Sequence, residues 1–203
     1  MKIICIGRNY AEHARELNNP LPLKPVFFMK PDSSLLLNNK PFFLPDFSNE
    51  VHYEAEIVLK ISRLGKNIQK QYAHRYYNMI GIGIDFTARD LQDKCKKAGH
   101  PWEIAKSFDQ SAVINRFIPL AMVPDPGAIN FELRINGSVV QKGNTKDLIF
   151  SFEDIISYVS AFITLKTGDL IFTGTPAGVG PVSTGDHLVA SVEGQVLLDF
   201  HVK

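Results

Sequence analysis

The sequence predicts an α+β fold with a dominant, mainly antiparallel β core and a few short helices. Residues 51–59 and residues 79–85 alternate apolar with polar or small residues, as strands with one buried face do. Asn136-Gly137 joins two further alternating runs, which is a strong short-range signal for a β-hairpin. At 203 residues and 45% hydrophobic, the chain has the size and composition of one domain with a substantial core.

The N-terminal stretch predicts a strand, a helix and an irregular loop. Residues 2–6 are almost continuously apolar, as in a short buried strand. Asn9 has the side chain of a helix N-cap and predicts a helix over residues 10–17. Residues 18–25 are rich in Pro and Asn, which argues against regular structure. A loop of this kind beside a polar helix could serve as a mobile cover for a site.

The rest of the chain predicts strands interspersed with three helices, and its last third is mostly β. No internal repeat or low-complexity segment interrupts it. The predicted elements are a strand over 26–29, a turn at 30–34, the strand over 51–59, a helix over 68–78, the strand over 79–85, a helix over 87–97, strands near 129–135, 138–141, 169–173, 187–192 and 196–202, and a helix near 152–162.

Composition and charge narrow the classes of protein. A formal net charge of +1 gives no reason to expect nucleic acid or an anionic membrane as partner, and we interpret Lys94, Lys96 and Lys97 as a solvated side of a helix. Cys5 and Cys95 make neither a disulfide framework nor a zinc site, and we expect Cys5 to be a buried, inert thiol. The N-terminus lacks the features of a signal peptide, and no apolar run reaches membrane-spanning length. We therefore expect a cytoplasmic protein.

Glu54 and Glu56 stand two apart on the strand over residues 51–59 and share a face with His52. Two like charges held side by side repel each other unless a cation or water lies between them. The strand is therefore either a solvated face or half of a metal site. Taken alone it favours the solvated face. His52 is placed to hydrogen-bond at the edge of such a site.

Asp85 ends the strand over residues 79–85 on the same face as Gly81 and Gly83, where the glycines would clear room around its carboxylate. Considered alone, Asp85 is at least as well explained as the N-cap of the next helix. Glu54, Glu56 and Asp85 together would supply three hard oxygen ligands, a set that suits Mg²⁺, Mn²⁺ or Ca²⁺.

Arg89 and Gln92 lie three apart on the helix that follows Asp85 and so share one face. A guanidinium and an amide beside a divalent ion suit a substrate that carries a carboxylate and a keto group. A solvated helix face explains the same spacing. Lys106 is a lone cation in a mixed segment and supports no prediction by itself.

His13 and Glu16 stand three apart on the predicted N-terminal helix. A carboxylate at this spacing can hold an imidazole in one tautomer and raise its basicity, so that the pair can take a proton from water. A surface ion pair is the commoner explanation, and the sequence alone favours it.

Residues 168–181 run from a strand into a glycine-rich turn. They match neither a Walker A loop nor a dinucleotide-binding fingerprint. The turn could present backbone N–H groups and the Thr175 hydroxyl to an anion. A purely structural β-turn is the alternative.

These pieces, in this order, resemble the fumarylacetoacetate hydrolase family over essentially the whole chain. The short chain and residues 96–102 are most similar to the acylpyruvase and oxaloacetate decarboxylase branch of that family. The matching stretches are residues 7–13, 51–57, 85–92, 105–109 and 173–181.

The resemblance implies a mixed β-roll or sandwich catalytic domain over residues 1–203, with 1–45 as an N-terminal strand–helix–lid segment and 46–203 as the metal-binding β core. It also implies a homodimer. The roles that it implies are catalytic residues His13, Glu16 and Lys106, with the first two on a lid, substrate-binding residues Arg89, Gln92 and Thr175, and ligands Glu54, Glu56 and Asp85 for Mg²⁺ or Mn²⁺, with Ca²⁺ able to substitute.

The activity implied is divalent-metal-dependent hydrolysis of the C–C bond of acylpyruvates, decarboxylation of oxaloacetate, or both. Each reaction forms pyruvate enolate, whose charge the ion would stabilise. Only hydrolysis needs the water that His13 and Glu16 would activate. The nearest alternative is an isomerase or decarboxylase of unsaturated 2-oxo dioates, and a non-enzymatic cation-binding β module is a further one. The expected partner is a small 2-oxo acid, without nucleic acid or membrane.

Overall fold

Three β-sheets and four α-helices make up the computed structural model, which describes residues 1–17 and 20–203. The strands are β1 (Ile3–Gly7), β2 (Val26–Lys30), β3 (Leu35–Leu36), β4 (Val51–Tyr53), β5 (Ala55–Ile61), β6 (Tyr77–Asp85), β7 (Thr87–Ala88), β8 (Ala112–Pro119), β9 (Asn130–Ile135), β10 (Ser138–Asn144), β11 (Leu170–Phe172), β12 (Gly180–Pro181), β13 (His187–Val192) and β14 (Gln195–His201). The helices are α1 (Ala11–Glu16), α2 (Arg89–Ala98), α3 (Glu103–Lys106) and α4 (Phe152–Phe162).

The largest sheet has seven strands in the order β2-β1-β11-β5-β6-β8-β3. Among the described strands of this sheet, β1 pairs in parallel with β11 and β3 with β8, and the other pairings are antiparallel. A second sheet, β10-β9-β13-β14, and a third, β12-β4-β7, are antiparallel throughout. These sheets confirm the predicted α+β class with a mainly antiparallel β core.

The main core lies between the seven-stranded and four-stranded sheets. Ile57 and Ile82 on the first sheet and Leu133 and Leu198 on the second are all fully buried in one cluster. The opposite face of the seven-stranded sheet carries a smaller apolar cluster that includes Cys5. Burial raises the pKa of the Cys5 thiol well above its usual range, so this residue is the inert thiol that the sequence predicts.

The predicted strand over residues 51–59 is broken at Glu54, and its two parts belong to different sheets. β4 pairs with β7 and β12, whereas β5 pairs with β6 and β11. The backbone N–H of Asp85 donates to Glu54 O at 2.8 Å, which joins this break to the end of β6. The break therefore brings two acidic residues together that lie 31 positions apart in the sequence.

The N-cap prediction for Asn9 is wrong. Helix α1 begins at Ala11 with Tyr10 as its N-cap and no side-chain capping bond. The Asn9 amide instead donates to Thr173 O at 2.8 Å and to Phe150 O at 3.1 Å, and its oxygen accepts from Phe150 N at 2.8 Å. Asn9 thus fixes the turn before α1 to two distant segments, which a local capping rule does not anticipate.

The helix predicted over residues 68–78 is also wrong. Only a 3₁₀ helix forms there, at Lys70–Arg75, because β6 begins at Tyr77 and pairs with strands on both sides. Strand β8, which lies between β6 and the edge strand β3, was not predicted from the sequence. Sheet pairing over long sequence separations outweighs local preference at both places.

Gly81 and Gly83 do not clear space for a ligand, which corrects the interpretation made for Asp85. A Cβ atom on Gly83 would lie 2.5 Å from the Phe172 ring, and one on Gly81 would lie 2.9 Å from Arg116 O. The glycines therefore admit a ring and a neighbouring strand on the smaller core face. Asp85 is not a helix N-cap either, since α2 is preceded by Ala88.

Several local predictions are confirmed. Asn136 and Gly137, with φ of 51° and 84°, form the turn between β9 and β10. Helix α4 begins at a capping box made by Ser151 and Asp154. The loop predicted at 18–25 has no regular structure from residue 20 onward, while its first two residues lie outside the described part.

The N-terminal segment contributes strands β1, β2 and β3 to the seven-stranded sheet. The division of the chain at residue 45 into a lid segment and a metal-binding core remains a proposal. Among the described helices, none is long and apolar enough to cross a membrane.

Candidate active site

Three buried carboxylates meet where β4, β5 and β6 come together. Glu54 occupies the break between β4 and β5, Glu56 is the second residue of β5, and Asp85 ends β6. Their exposed fractions are 6%, 2% and 1%, and one oxygen from each lies within 4.8 Å of the others. We call these residues the carboxylate trio. The solvated face that the strand taken alone favours is therefore wrong, and the three acids meet as a shared metal site requires.

Three buried cations surround the trio. Lys106 Nζ lies 2.8 Å from Glu54 Oε2 and 2.9 Å from Asp85 Oδ2. Arg89 Nη2 lies 2.6 Å from Glu54 Oε1, and Lys30 Nζ lies 2.8 Å from Asp85 Oδ1. Lys106, to which only the family resemblance gave a role, thus contacts two members of the trio at once.

Sequence reasoning missed Lys30, which it placed in a turn. Lys30 is the last residue of β2 and only 2% exposed. Its ammonium also donates to Ser111 Oγ at 2.9 Å, to Ser111 O at 3.2 Å, to Phe86 O at 3.3 Å and to Lys106 O. No local pattern distinguishes this lysine from a surface lysine before a proline, because every partner lies more than 50 positions away in the sequence.

The pKa values of Glu54 and Glu56 are shifted in opposite directions. Burial by itself raises the pKa of Glu54, but Lys106 and then Arg89 outweigh it and the net pKa is lowered. Burial raises the pKa of Glu56 well above its usual range, and the charges of Asp85 and Glu54 raise it further, although a hydrogen bond from Gly174 opposes them. Glu56 is therefore the member whose charge is least compensated by protein groups.

The trio fits a hard divalent cation. All three donors are carboxylates, the ligand type preferred by Mg²⁺, Mn²⁺ and Ca²⁺. The contact between Lys30 and Asp85 Oδ1 lacks hydrogen-bond geometry, so that this buried oxygen has no hydrogen bond within the described residues. A bound cation would use this oxygen and relieve the repulsion that raises the pKa of Glu56.

Polar groups of the glycine turn, residues 173–181, form hydrogen bonds with other parts of the protein. Gly174 N–H donates to Glu56 Oε2 at 2.7 Å. The Thr175 hydroxyl donates to Ala55 O at 2.9 Å and accepts from Gln141 Nε2 at 2.8 Å. Because a hydroxyl carries one hydrogen, Thr175 lines the cavity with its donor already committed. Its predicted role in substrate binding remains a proposal.

His13 and Glu16 form a hydrogen-bonded pair, which we call the lid dyad. Glu16 Oε2 accepts from His13 Nδ1 at 3.1 Å, and Glu16 Oε1 accepts from Gly178 N at 3.0 Å. His13 is 5% exposed and lines the same cavity as the carboxylate trio. The dyad is thus not an ordinary surface ion pair, and α1 lies over the carboxylates.

Arg89 and Gln92 share one face of α2, as their spacing predicts. Arg89 Nη1 donates to Gln92 Oε1 at 2.7 Å, and Arg89 Nε donates to His52 Nδ1 at 3.5 Å. Burial and then Arg89 lower the pKa of His52, and because Nε2 donates to Glu50 Oε1 at 3.0 Å, Nδ1 can accept this bond. His52 therefore supports Arg89, at the edge of the site.

One small cavity, of about 40 Å³, connects these groups. Eight of the nine site residues predicted from the sequence line it. The ninth, Glu16, is hydrogen-bonded to His13, which lines it. Phe28 and Trp102, whose rings meet edge to face at 6.0 Å, form an apolar part of its wall. A cavity with three buried acids, several cations and a histidine can bind an anion and transfer a proton.

The chain is similar to known proteins over nearly its whole length. Residues 2–203 match the family model for the fumarylacetoacetate (FAA) hydrolase C-terminal region. Mouse (Mus musculus) oxaloacetate tautomerase FAHD1, mitochondrial, is 41% identical over 201 residues, which cover 99% of this chain and 91% of the relative. Oxaloacetate tautomerase YcgM of Escherichia coli (strain K12) is 39% identical over 197 residues, covering 97% of this chain and 90% of the relative.

A solved structure is similar over the whole chain. It is the fumarylpyruvate hydrolase from Pseudomonas aeruginosa in complex with Mn²⁺ and pyruvate, with a TM-score of 0.94 and 36% identity. The match covers 100% of this chain and 89% of that chain. The family model over residues 2–203, the relatives and the similar fold lead to the same conclusion: the chain belongs to the fumarylacetoacetate hydrolase family.

Proposed function

We propose that the protein is a divalent-metal-dependent enzyme that interconverts the keto and enol forms of oxaloacetate. The observation that carries this proposal is the carboxylate trio, buried beneath a histidine in a small cavity rich in cations. Relatives that match nearly the whole chain are named oxaloacetate tautomerases, which supports oxaloacetate as substrate. We further propose Mg²⁺ or Mn²⁺ as the ion, because both prefer carboxylate oxygens.

The proposed roles follow from the hydrogen bonds. A bound divalent ion would supply Lewis acidity at the 2-oxo group of the substrate. Because Glu16 accepts from His13 Nδ1, the other ring nitrogen, Nε2, is free to take a proton from C3 of oxaloacetate and to deliver one to the oxygen on C2, which gives the enol; the reverse transfers restore the keto form. Lys106, held by two carboxylates, places positive charge where negative charge develops on the oxygen.

The state of Lys106 suits that electrostatic role. Burial alone lowers the pKa of Lys106, but Asp85 and then Glu54 outweigh it, so the net pKa is raised. The ammonium therefore stays charged at neutral pH. We propose that Arg89 and Gln92, which already bond each other, bind the carboxylate end of the substrate beside Glu54.

Hydrolysis of acylpyruvates is the second candidate function, and the lid dyad favours it. A histidine oriented by a carboxylate can activate water to attack the distal carbonyl of an acylpyruvate. The related fumarylpyruvate hydrolase, crystallised with Mn²⁺ and pyruvate, supports this reaction type. Tautomerisation differs in that it needs a proton shuttle but no water.

Decarboxylation of oxaloacetate and isomerisation of unsaturated 2-oxo dioates remain further proposals of the same chemical class. A non-enzymatic cation-binding module is less well supported, since it would not require a buried histidine, Arg89 and Gln92 in one cavity with the carboxylates.

Kinetic assays separate these candidates. Enol-oxaloacetate is added to protein with Mg²⁺ or Mn²⁺, and loss of enol absorbance is followed against the spontaneous rate. Pyruvate release from oxaloacetate reports decarboxylation, and pyruvate release from acetylpyruvate reports hydrolysis. We expect the protein to accelerate enol loss far more than it accelerates pyruvate release from oxaloacetate or from acetylpyruvate. Acceleration of pyruvate release from acetylpyruvate alone would overturn the tautomerase assignment in favour of hydrolysis.

The variant Glu54→Gln serves as the matched test of the site, because the amide keeps the shape of the side chain and removes its charge. We expect it to abolish metal-dependent enol loss. Glu12→Gln, the same change at an exposed position, should retain it.

We also propose a homodimer in the cytoplasm. Sedimentation equilibrium of the purified protein would test the homodimer. A mass of 22.7 kDa, that of one chain, would contradict it. Fractionation of the source cells would test the cytoplasmic location. Some relatives are named as mitochondrial proteins, and recovery in an organelle fraction would overturn the cytoplasmic assignment.

A further inference from the structure

Two cations in the active-site cavity have no partner that accounts for their position. Arg8 and Lys96 line the cavity together with the carboxylate trio. Within residues 1–17 and 20–203, the Arg8 guanidinium makes no ion pair or side-chain hydrogen bond with the protein. Lys96 has one ion-pair contact, 3.9 Å from Asp93, whose side chain is 56% exposed.

Three buried cations, Lys30, Arg89 and Lys106, already equal the acids of the carboxylate trio in number. Lys106 and Arg89 pair with Glu54, and Lys106 and Lys30 pair with Asp85. Arg8 and Lys96 are therefore in excess over the buried acids, and a divalent ion on the trio would add to this positive charge. A cavity of this kind favours a ligand with more than one negative charge.

Arg8 is held in an unusual backbone conformation. Its φ is +60°, a left-handed value that costs energy for a residue with a side chain. The three hydrogen bonds of the adjacent Asn9 side chain fix the turn in which Arg8 sits. Strained residues held in place by their neighbours cluster at functional sites.

Lys96 differs from its neighbours on α2. Lys94 and Lys97 are exposed, whereas Lys96 is partly buried, with 26% of its side chain accessible. Burial lowers the pKa of Lys96, and the charges of Arg89 and Arg8 lower it further, so these cations are close enough to repel one another. The interpretation of all three lysines as a solvated side is therefore wrong for Lys96.

We propose that Arg8 and Lys96 form a subsite for the distal carboxylate of a dianionic 2-oxo dicarboxylate. The inference deepens the proposed function, on which it rests for the placement of the 2-oxo acid end at the carboxylate trio. It names the substrate class: a short dianion is preferred over a 2-oxo acid with an uncharged tail. The apolar wall of Phe28 and Trp102 contacts the intervening carbons.

Equilibrium binding tests the subsite without requiring turnover. Oxaloacetate and 2-oxobutanoate are titrated by calorimetry into the Mg²⁺-loaded protein, because 2-oxobutanoate replaces the distal carboxylate by a methyl group. We expect the wild type to prefer oxaloacetate by roughly 100-fold, as two charge-assisted contacts would give. Arg8→Gln and Lys96→Gln should each reduce that preference by about 10-fold through weaker oxaloacetate binding alone.

Matched controls keep the test decisive. Lys97→Gln removes the same charge from an exposed position one residue away and should leave the preference unchanged. Lys96→Arg should restore most of it. Equal weakening of both ligands by Arg8→Gln and Lys96→Gln, or an unchanged preference, overturns the subsite.

The two proposals fail in different ways. If the wild type does not accelerate enol loss but keeps a charge preference that needs Arg8 and Lys96, the tautomerase assignment falls and the subsite stands. If the wild type accelerates enol loss but the Arg8 and Lys96 variants keep its preference for oxaloacetate, only the subsite proposal is overturned. A wild type that binds neither ligand overturns both.

Discussion

Glu16 on α1 accepts a hydrogen bond from the backbone N–H of Gly178 at 3.0 Å, across 162 positions of sequence. The other oxygen of the same carboxylate bonds His13. Gly178 adopts a φ of +98°, and a Cβ atom there would lie 2.6 Å from Val140 O, so the turn requires glycine. One carboxylate thus orients the histidine and fastens its helix over the site.

The first prediction separates these two functions of Glu16. Glu16→Gln keeps an oxygen that can accept from Gly178 N but removes the negative charge that lies beside His13 Nδ1. We expect amide hydrogen exchange at Gly178 to stay close to that of the wild type while the catalytic rate falls. Glu16→Ala should lose both. Exchange that is equally fast in the two variants would contradict the role of this bond.

The second prediction concerns His13 itself. His13→Gln should lower the rate of enol loss by about 10²–10⁴-fold, the usual contribution of a positioned acid–base group. Metal affinity, measured by calorimetric titration, should change little. Glu12→Gln on the same short helix is the matched control, since Glu12 is exposed. A large loss of metal affinity in His13→Gln would place the histidine among the ligands instead.

The third prediction concerns Glu56, whose pKa burial and neighbouring charges raise. Glu56→Gln keeps an acceptor for Gly174 N–H and removes a like charge from the trio. We expect the metal-free variant to unfold at a higher temperature than the metal-free wild type, and Mg²⁺ to bind at least ~10-fold more weakly. Thermal unfolding in chelator and metal titration measure the two effects. A lower unfolding temperature would show that the trio is not under repulsion.

The fourth prediction concerns Lys30. Its replacement by Met leaves Asp85 and several buried carbonyl groups without their cation, and breaking a buried pair on one side costs about 3–5 kcal/mol. Urea unfolding should show a loss of that order. Lys24→Met, an exposed position on the same stretch of chain, should lie within ~0.5 kcal/mol of the wild type.

A fifth prediction is the pH dependence of stability at the start of α4. Burial by itself raises the pKa of Asp154, but hydrogen bonds from Lys70 and then Ser151 outweigh it, and the net pKa lies below the ordinary value of 3.8. Because the folded-state pKa is the lower one, Asp154 contributes stability above pH 3.8, and this contribution is lost as the pH falls through the folded-state pKa.

Urea unfolding of the wild type and Asp154→Asn checks this sign. The difference in free energy of unfolding should be largest near neutral pH and should shrink below about pH 4. Asp109→Asn, at an exposed position, is the reference variant. A difference that grows on acidification would be inconsistent with the lowered pKa.

The sequence by itself determined what depends on local chemistry. Alternation predicted β5 and β6, Asn136-Gly137 predicted the β9–β10 turn, and α4 was predicted at its observed bounds. The resemblance to the family selected the residues that line the cavity. Each of these signals is carried by residues close together in the chain, where side-chain period and turn geometry act directly.

Only the tertiary structure decided how those residues act together. The break at Glu54, the burial of Lys30, the turn of Lys96 into the cavity and the role of Gly83 in admitting Phe172 all depend on partners far apart in sequence. The physical reason is that charge and space are settled by the neighbours a residue acquires on folding. A pair of glutamates alone favours a solvated face, and three cations and a third carboxylate from other segments turn it into a buried site.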